Sequence, residues 1–174
     1  MIDKPFSLIF EYSSKSLLDS DFCSNTSTML ASAGVQWEIS KVTPGLSRFL
    51  PSKPGVYMFI WRHSLTLVDG NNRSRDFTHV LYVGKTGGDS SNTIRKRYVE
   101  YNRAIKSKTD QPSESNRTER LRKYLNIPGL EFWYATPNDI TLIPEIEARL
   151  LNLLTPPLNS QRPKLKPRRR ISAF

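Results

Sequence analysis

Residues 143–154 read IPEIEARLLNLL, and their spacing decides what the preceding chain must be. At about 100° per residue, Ile143, Ile146, Leu150, Leu151, Leu153 and Leu154 fall on one broad side of a helix. Glu145, Ala148, Arg149 and Asn152 fall on the other, which makes the helix amphipathic and sets it against a core. Glu147 breaks the pattern by projecting between Leu151 and Leu154, inside the apolar stripe. An unpaired carboxylate there costs several kcal/mol. It needs a cation, a strong partner or a cleft beside it, and the plain reading is an edge position that meets a lysine or arginine.

Working outward, Thr155-Pro156-Pro157-Leu158-Asn159 cannot continue the helix, and Pro144 suits its first turn. LEFWYAT (130–136) reads as a strand and Asn138-Asp139 as a turn. Before these lies a short helix over 118–126, with Asn116 and Glu119 spaced as a capping box and Pro128-Gly129 ending it. A longer helix is expected over 94–106, with Ile94, Tyr98, Tyr101 and Ile105 as its apolar stripe. Arg97 sits at the margin of that stripe, one turn before Tyr101, so the two side chains can meet. VYMFIW (56–61) is apolar on both faces, as a covered strand would be, and THVLYVG (78–84) is the strand that returns. Asp69-Gly70-Asn71-Asn72 marks the turn between them, so 62–77 is a hairpin excursion. Gly84-Lys85-Thr86 resembles the end of a phosphate-binding loop, but His79 stands where the first glycine is required, which excludes that site. His63 and His79 are too isolated to form a metal pair.

The first 53 residues carry the weakest signal. SLIFEY (7–12) and VQWEISKV (35–42) suit strands, and a short helix is expected near Thr28–Ala33. This extension is either a structural cover for one side of the core or a DNA-recognition or dimer element. The 174 residues suit one domain with a sizeable core. With 26 Lys and Arg against 16 Asp and Glu, the net charge of +10 favours a polyanionic partner, nucleic acid before a membrane surface. The tail QRPKLKPRRRISAF (161–174) has six Lys or Arg, no core-forming pattern and a composition suited to phosphate contact. Cys23 is alone, which excludes an internal disulfide and a cysteine-based zinc site and fits a reducing cytoplasm. The opening MIDKPFSLIFEY lacks a basic n-region and a small-residue cleavage site, so no secretory signal is expected. No apolar stretch approaches the length of a membrane span.

Taken in order, the motifs of this chain resemble the GIY-YIG nuclease family. Gly55-Val56-Tyr57 stands for the first motif and Tyr82-Val83-Gly84 for the second. Arg97 and Tyr101 match the family's arginine and the position four residues later, Glu147 its metal-binding glutamate, and Leu150, Leu151, Pro156 and Asn159 its closing pattern. The resemblance covers roughly residues 54–160, with 62–77 as an insertion because Tyr57 and Tyr82 lie 25 positions apart, wider than the family's usual spacing. It implies an α/β (α+β) fold, a small and mainly antiparallel three-stranded sheet flanked by helices. Residues 1–53 would then be an N-terminal extension, 54–160 the nuclease core and 161–174 a basic tail.

The resemblance also implies a chemistry. Phosphodiester hydrolysis needs an in-line water, charge stabilisation on the phosphoryl oxygens and help for the leaving oxygen. A hard ion such as Mg²⁺, with Mn²⁺ as a substitute, takes one or two carboxylates, waters and substrate oxygens, which accounts for Glu147 as the metal ligand. Arg97 would fork onto phosphoryl oxygens. Tyr57, beside Tyr82, would position or deprotonate the water. A phenol near pKa 10 is a poor base, so Lys85 or Arg97 would have to assist it. Asn159 is expected to orient the site or brace a backbone turn. The implied activity is a metal-dependent endonuclease on double-stranded DNA, of a small type II-like restriction type. A palindromic site would require a homodimer. Two alternatives stand beside it: a structure-selective repair or phage nuclease, and a DNA-binding module that keeps the fold without cleaving.

Overall fold

The computed structural model describes residues 19–68, 70–87, 91–106, 121 and 124–159. Among them are three helices and a four-stranded antiparallel sheet: α1 (Ser20–Ser32), β1 (Glu38–Lys41), β2 (Gly55–Val68), β3 (Ser74–Thr86), α2 (Ile94–Lys106), β4 (Leu130–Ala135) and α3 (Ile143–Leu154). The fold is α+β. The strand order is β1-β4-β2-β3, so the sheet has one strand more than the three expected. The addition is β1, which pairs with β4 from Glu38–Tyr134 to Lys41–Glu131. Without it, β4 would present an unpaired row of backbone groups beside the apolar core.

Strands β2 and β3 form one long hairpin, with Tyr57 opposite Gly84 and Val68 opposite Ser74. Residues 62–77 are therefore a lengthening of both strands, with a turn at Gly70–Asn72 between them. A bulge beside Phe59–Ile60 shifts the register, so that Phe59 faces Tyr82 while Ile60 faces Val80. β3 also runs through Thr86, two residues into what reads as a loop; the Thr86 hydroxyl accepts from the Gly55 N–H at 3.0 Å.

The two faces of the sheet differ in chemistry. One is aromatic: Tyr57, Phe59, Tyr82, Phe132 and Tyr134 pack with Ile94, Tyr98 and Tyr101 of α2. The other is aliphatic: Val56, Met58, Ile60 and Val83 pack with Ile143, Ile146, Leu150 and Leu151 of α3. Alternation of side chains along β2 produces both faces from one continuous apolar run. Each fully enclosed ring or branched chain contributes roughly 1.5–3 kcal/mol.

The N-terminal extension is integral to this core. Asp19 caps α1 by accepting from the Phe22 N–H at 3.0 Å, so the helix starts well before the expected Thr28. α1 then covers the outer side of α3: Arg149 donates to Thr26 at 3.4 Å, to Glu145 at 2.8 Å, and lies 5.9 Å from the Phe22 ring centroid. After β1, the chain is lashed along α2. The Tyr98 hydroxyl donates to the Thr43 carbonyl at 2.9 Å and accepts from the Thr43 N–H at 3.1 Å. Asn102 donates to the Pro44 carbonyl at 2.7 Å, while Leu46 and Leu50 sink into the aromatic cluster. The expected strand over 7–12, most of the helix over 118–126 and the basic tail lie outside the described residues.

Two buried phenols give this packing a pH signature. Burial pushes Tyr98 up to about 12, with the Thr43 backbone bond pulling the other way. Burial, and then the hydrogen bond to Glu38 at 2.5 Å, raise Tyr134 to about 12. Because the folded values lie above the unfolded value near 10, the associated stability is fully present below pH 10 and is lost as pH rises towards 12. For the fully enclosed Tyr98 it amounts to about 2–3 kcal/mol. Urea midpoints are expected to fall between pH 10 and 12, and to fall less steeply in Tyr98→Phe.

Candidate active site

Four consecutive residues of β3, 82–85, meet Tyr57, Asn159 and Glu147 directly and are linked to Tyr101 through Tyr57, while Arg97 stands apart. Tyr82 lies on the aromatic face with its ring centroid 6.2 Å from that of Tyr57. The Tyr57 and Tyr101 hydroxyls are 2.8 Å apart in a buried hydrogen bond. Both rings are fully enclosed. That is the arrangement of core tyrosines with satisfied hydroxyls, and it suits positioning rather than direct attack on a water. Gly84 makes it possible: a Cβ there would lie 2.5 Å from the Tyr57 oxygen.

Val83 is held from outside the sheet. Asn159 accepts from its N–H at 3.0 Å and donates to its carbonyl at 2.8 Å, reproducing a strand neighbour with one side-chain amide. The Leu158 N–H donates to the Leu81 carbonyl at 3.1 Å, so residues 158–159 close part of the outer edge of β3. The turn that brings them there passes through Thr155, a β-branched residue at φ 40° that caps α3 in the left-handed region. Such a residue carries strain of about 1–3 kcal/mol. Asn159 thus braces the backbone.

Lys85 points to the opposite face from Tyr82, because residues three apart on a strand lie on opposite sides. There its ammonium meets Glu147 at 2.9 Å. This is the cation that the helix pattern requires, and it corrects the expectation that Lys85 assists a tyrosine. The Glu147 side chain is 19% exposed and that of Lys85 39%, so the pair sits at a margin rather than in the core. The donor set, one partly exposed carboxylate, fits a hard divalent ion that keeps most of its waters. Among the described residues no group of three or more His, Cys, Asp or Glu could hold a metal.

Arg97 is 13% exposed and donates to Glu100 at 2.5 Å, one turn along α2, rather than reaching towards Tyr101. Its Nε is buried without a hydrogen-bond partner. The Glu100 carboxylate therefore fixes one arm of the guanidinium fork. An i,i+3 spacing of opposite charges could have identified Glu100 from the sequence. The role of Gly84 could not be found that way, since it follows from the register that places Tyr57 opposite.

The site residues thus divide between the two faces of β3. They come together only because β3 is an edge strand. The tyrosines are enclosed on one side of that edge, and the Lys85–Glu147 pair is partly exposed on the other. No protein-family model, curated protein or solved structure matches this chain.

Proposed function

We propose that this chain is a divalent-metal-dependent endonuclease acting on double-stranded DNA, of the small restriction type and with a core of the GIY-YIG kind. The observation that carries this reading is the clustering around residues 82–85 of β3. The Tyr57–Tyr101 pair, the Asn159 brace and the Glu147 carboxylate are all attached to that stretch. Tyr57, bonded to Tyr101, packs against Tyr82, and Arg97 would present its charge to the phosphoryl oxygens. Asn159 braces β3 beside the partly exposed Lys85–Glu147 margin, past which the sugar-phosphate chain would lie. Glu147 would hold the ion through its carboxylate, beside Lys85. When bound, Mg²⁺ supplies Lewis-acid stabilisation of charge developing on the phosphate. The net charge of +10 supports a polyanionic substrate.

The test is incubation with plasmid and phage DNA in Mg²⁺, followed by sequencing of the ends. Discrete fragments with uniform ends are the expected result. A smear, or cutting confined to branched substrates, would replace the restriction reading with the structure-selective one. Intact DNA that nonetheless binds the protein would leave only a binding module.

A further inference from the structure

Phe49 is 81% exposed, the most exposed large apolar side chain among the described residues. A single exposed ring is unremarkable, but this one is held rigidly. It follows a short 3-10 turn at Leu46–Arg48, its N–H donates to the Leu46 carbonyl at 2.9 Å, and it is flanked by buried Leu46 and Leu50. The same turn is bonded to the start of α2. The Arg95 Nε donates to the Leu50 carbonyl at 2.7 Å, the Arg95 N–H to the Pro51 carbonyl at 3.1 Å and the Ile94 N–H to the Lys53 carbonyl at 3.0 Å.

The sequence flanking this ring, and that at the start of α2 to which its turn is bonded, carries charge of one sign. Arg48, Lys53, Arg95 and Lys96 are exposed, and residues 42–53 and 91–99 contain no Asp or Glu. The first turn of α2 has no acidic residue and begins Ile94-Arg95-Lys96-Arg97. Cations at a helix N-terminus oppose the helix dipole. The leading amides of α2 are already bonded to residues 51–53, so they do not form an anion site themselves. An anionic partner offsets that cost.

We infer that Phe49 is a DNA-contacting wedge: its ring enters a base step of duplex DNA while Arg48, Lys53, Arg95 and Lys96 hold the flanking phosphates. The inference deepens the nuclease reading and rests on it for the choice of DNA as partner. It gives the N-terminal extension a function beyond bracing α2, the helix that carries Arg97. Apolar wedges at base steps kink the duplex, and the cost depends on the step, so the contact is one that selects sequence. The bonded backbone beneath it fixes where the ring projects, so little main-chain freedom is lost on binding.

The experiment measures binding of the full chain to a fluorescein-labelled DNA duplex in EDTA, where no cleavage occurs. Phe49→Ala is expected to weaken binding about tenfold and leave the thermal midpoint unchanged, since the ring is exposed. Phe49→Trp keeps an aromatic wedge and is expected to bind within about twofold of wild type. The double change Arg48→Gln with Lys53→Gln is expected to lower the slope of log affinity against log salt by about two. The inference is overturned if Phe49→Ala binds as wild type does, if Trp fares no better than Ala, or if wild type does not bind the duplex. It is also overturned if Phe49→Ala turns a dimer into a monomer in sedimentation, which would make the ring a protein contact. Plasmid cleavage in Mg²⁺ separates this failure from that of the nuclease reading. Wedge-dependent binding without cleavage sinks the nuclease alone, and cleavage unaffected by Phe49→Ala sinks the wedge alone.

Discussion

Glu147→Ala is expected to reduce Mg²⁺-dependent plasmid cleavage by roughly 10³-fold or more, because the lost interaction supplies several kcal/mol to the transition state. DNA binding in EDTA is expected to stay within about twofold, since removing one carboxylate from a basic surface does not weaken phosphate contacts. Stability should change little. The Lys85–Glu147 pair is partly exposed, its distance is 2.9 Å, and pairs of this kind contribute about 0–1 kcal/mol. Glu147→Gln separates the two roles available to this residue. It keeps the shape and a hydrogen-bond acceptor for Lys85 but loses the anionic donor. If the carboxylate serves the ion, Gln is as inactive as Ala. If Gln cleaves at the wild-type rate, Glu147 serves only to hold Lys85, and the hydrolytic reading loses its metal ligand.

That two roles compete for one residue shows where the sequence is informative and where it stops. The stripe of α3 is legible: Ile143, Ile146, Leu150 and Leu151 are the buried residues of that helix, as a 3.6-residue period requires. The same period places Glu147 inside that stripe, between Leu151 and Leu154, and demands a partner. Which partner is a tertiary fact, decided by β3 running past α3 with Lys85 on the facing side. The hairpin is legible because Asp69–Asn72 has turn chemistry, although the turn gives no measure of how far the strands extend before it. β1 is legible in part: VQWEISKV (35–42) reads as a strand, but only Glu38–Lys41 pair, four mostly exposed residues whose extent is set by the edge of β4. α1 is more obscure. Its sequence SDFCSNTSTMLAS fully buries only Thr26; the Asp19 cap, Arg149 of α3 and the packing of Met29 and Leu30 against the aliphatic core hold the helix. The tyrosines show a third limit. Their clustering follows from strand alternation and the α2 stripe, yet nothing in the spacing says that Tyr57 and Tyr101 would use their hydroxyls on each other.

Gly84→Ala tests whether that tyrosine arrangement is rigid, and it is expected to lower both stability and activity. The added methyl group would lie 2.5 Å from the Tyr57 oxygen, 2.6 Å from its ring carbon Cζ and 2.9 Å from the Tyr82 ring. Relief would require Tyr57 to move, but its ring is enclosed by Phe59, Tyr82, Tyr101 and Phe132, with centroids 5.5–6.3 Å away. Overpacking of this kind costs about 1–3 kcal/mol, which for a domain of this size lowers the thermal midpoint by roughly 4–10 °C. Displacing the Tyr57 hydroxyl also breaks its bond to Tyr101, a loss of about 1 kcal/mol. Tyr57→Phe removes that bond without adding volume, so it isolates the hydrogen bond from the steric term. Urea unfolding followed by tryptophan fluorescence measures both variants. If Gly84→Ala is as stable as wild type, the Tyr57 ring can yield, and the close approach of phenol to backbone is incidental. If it is destabilised while Tyr57→Phe keeps full cleavage, the glycine serves packing alone. Loss of cleavage in both variants, at temperatures where both remain folded, would tie the buried hydroxyl pair to the chemistry at the edge of β3.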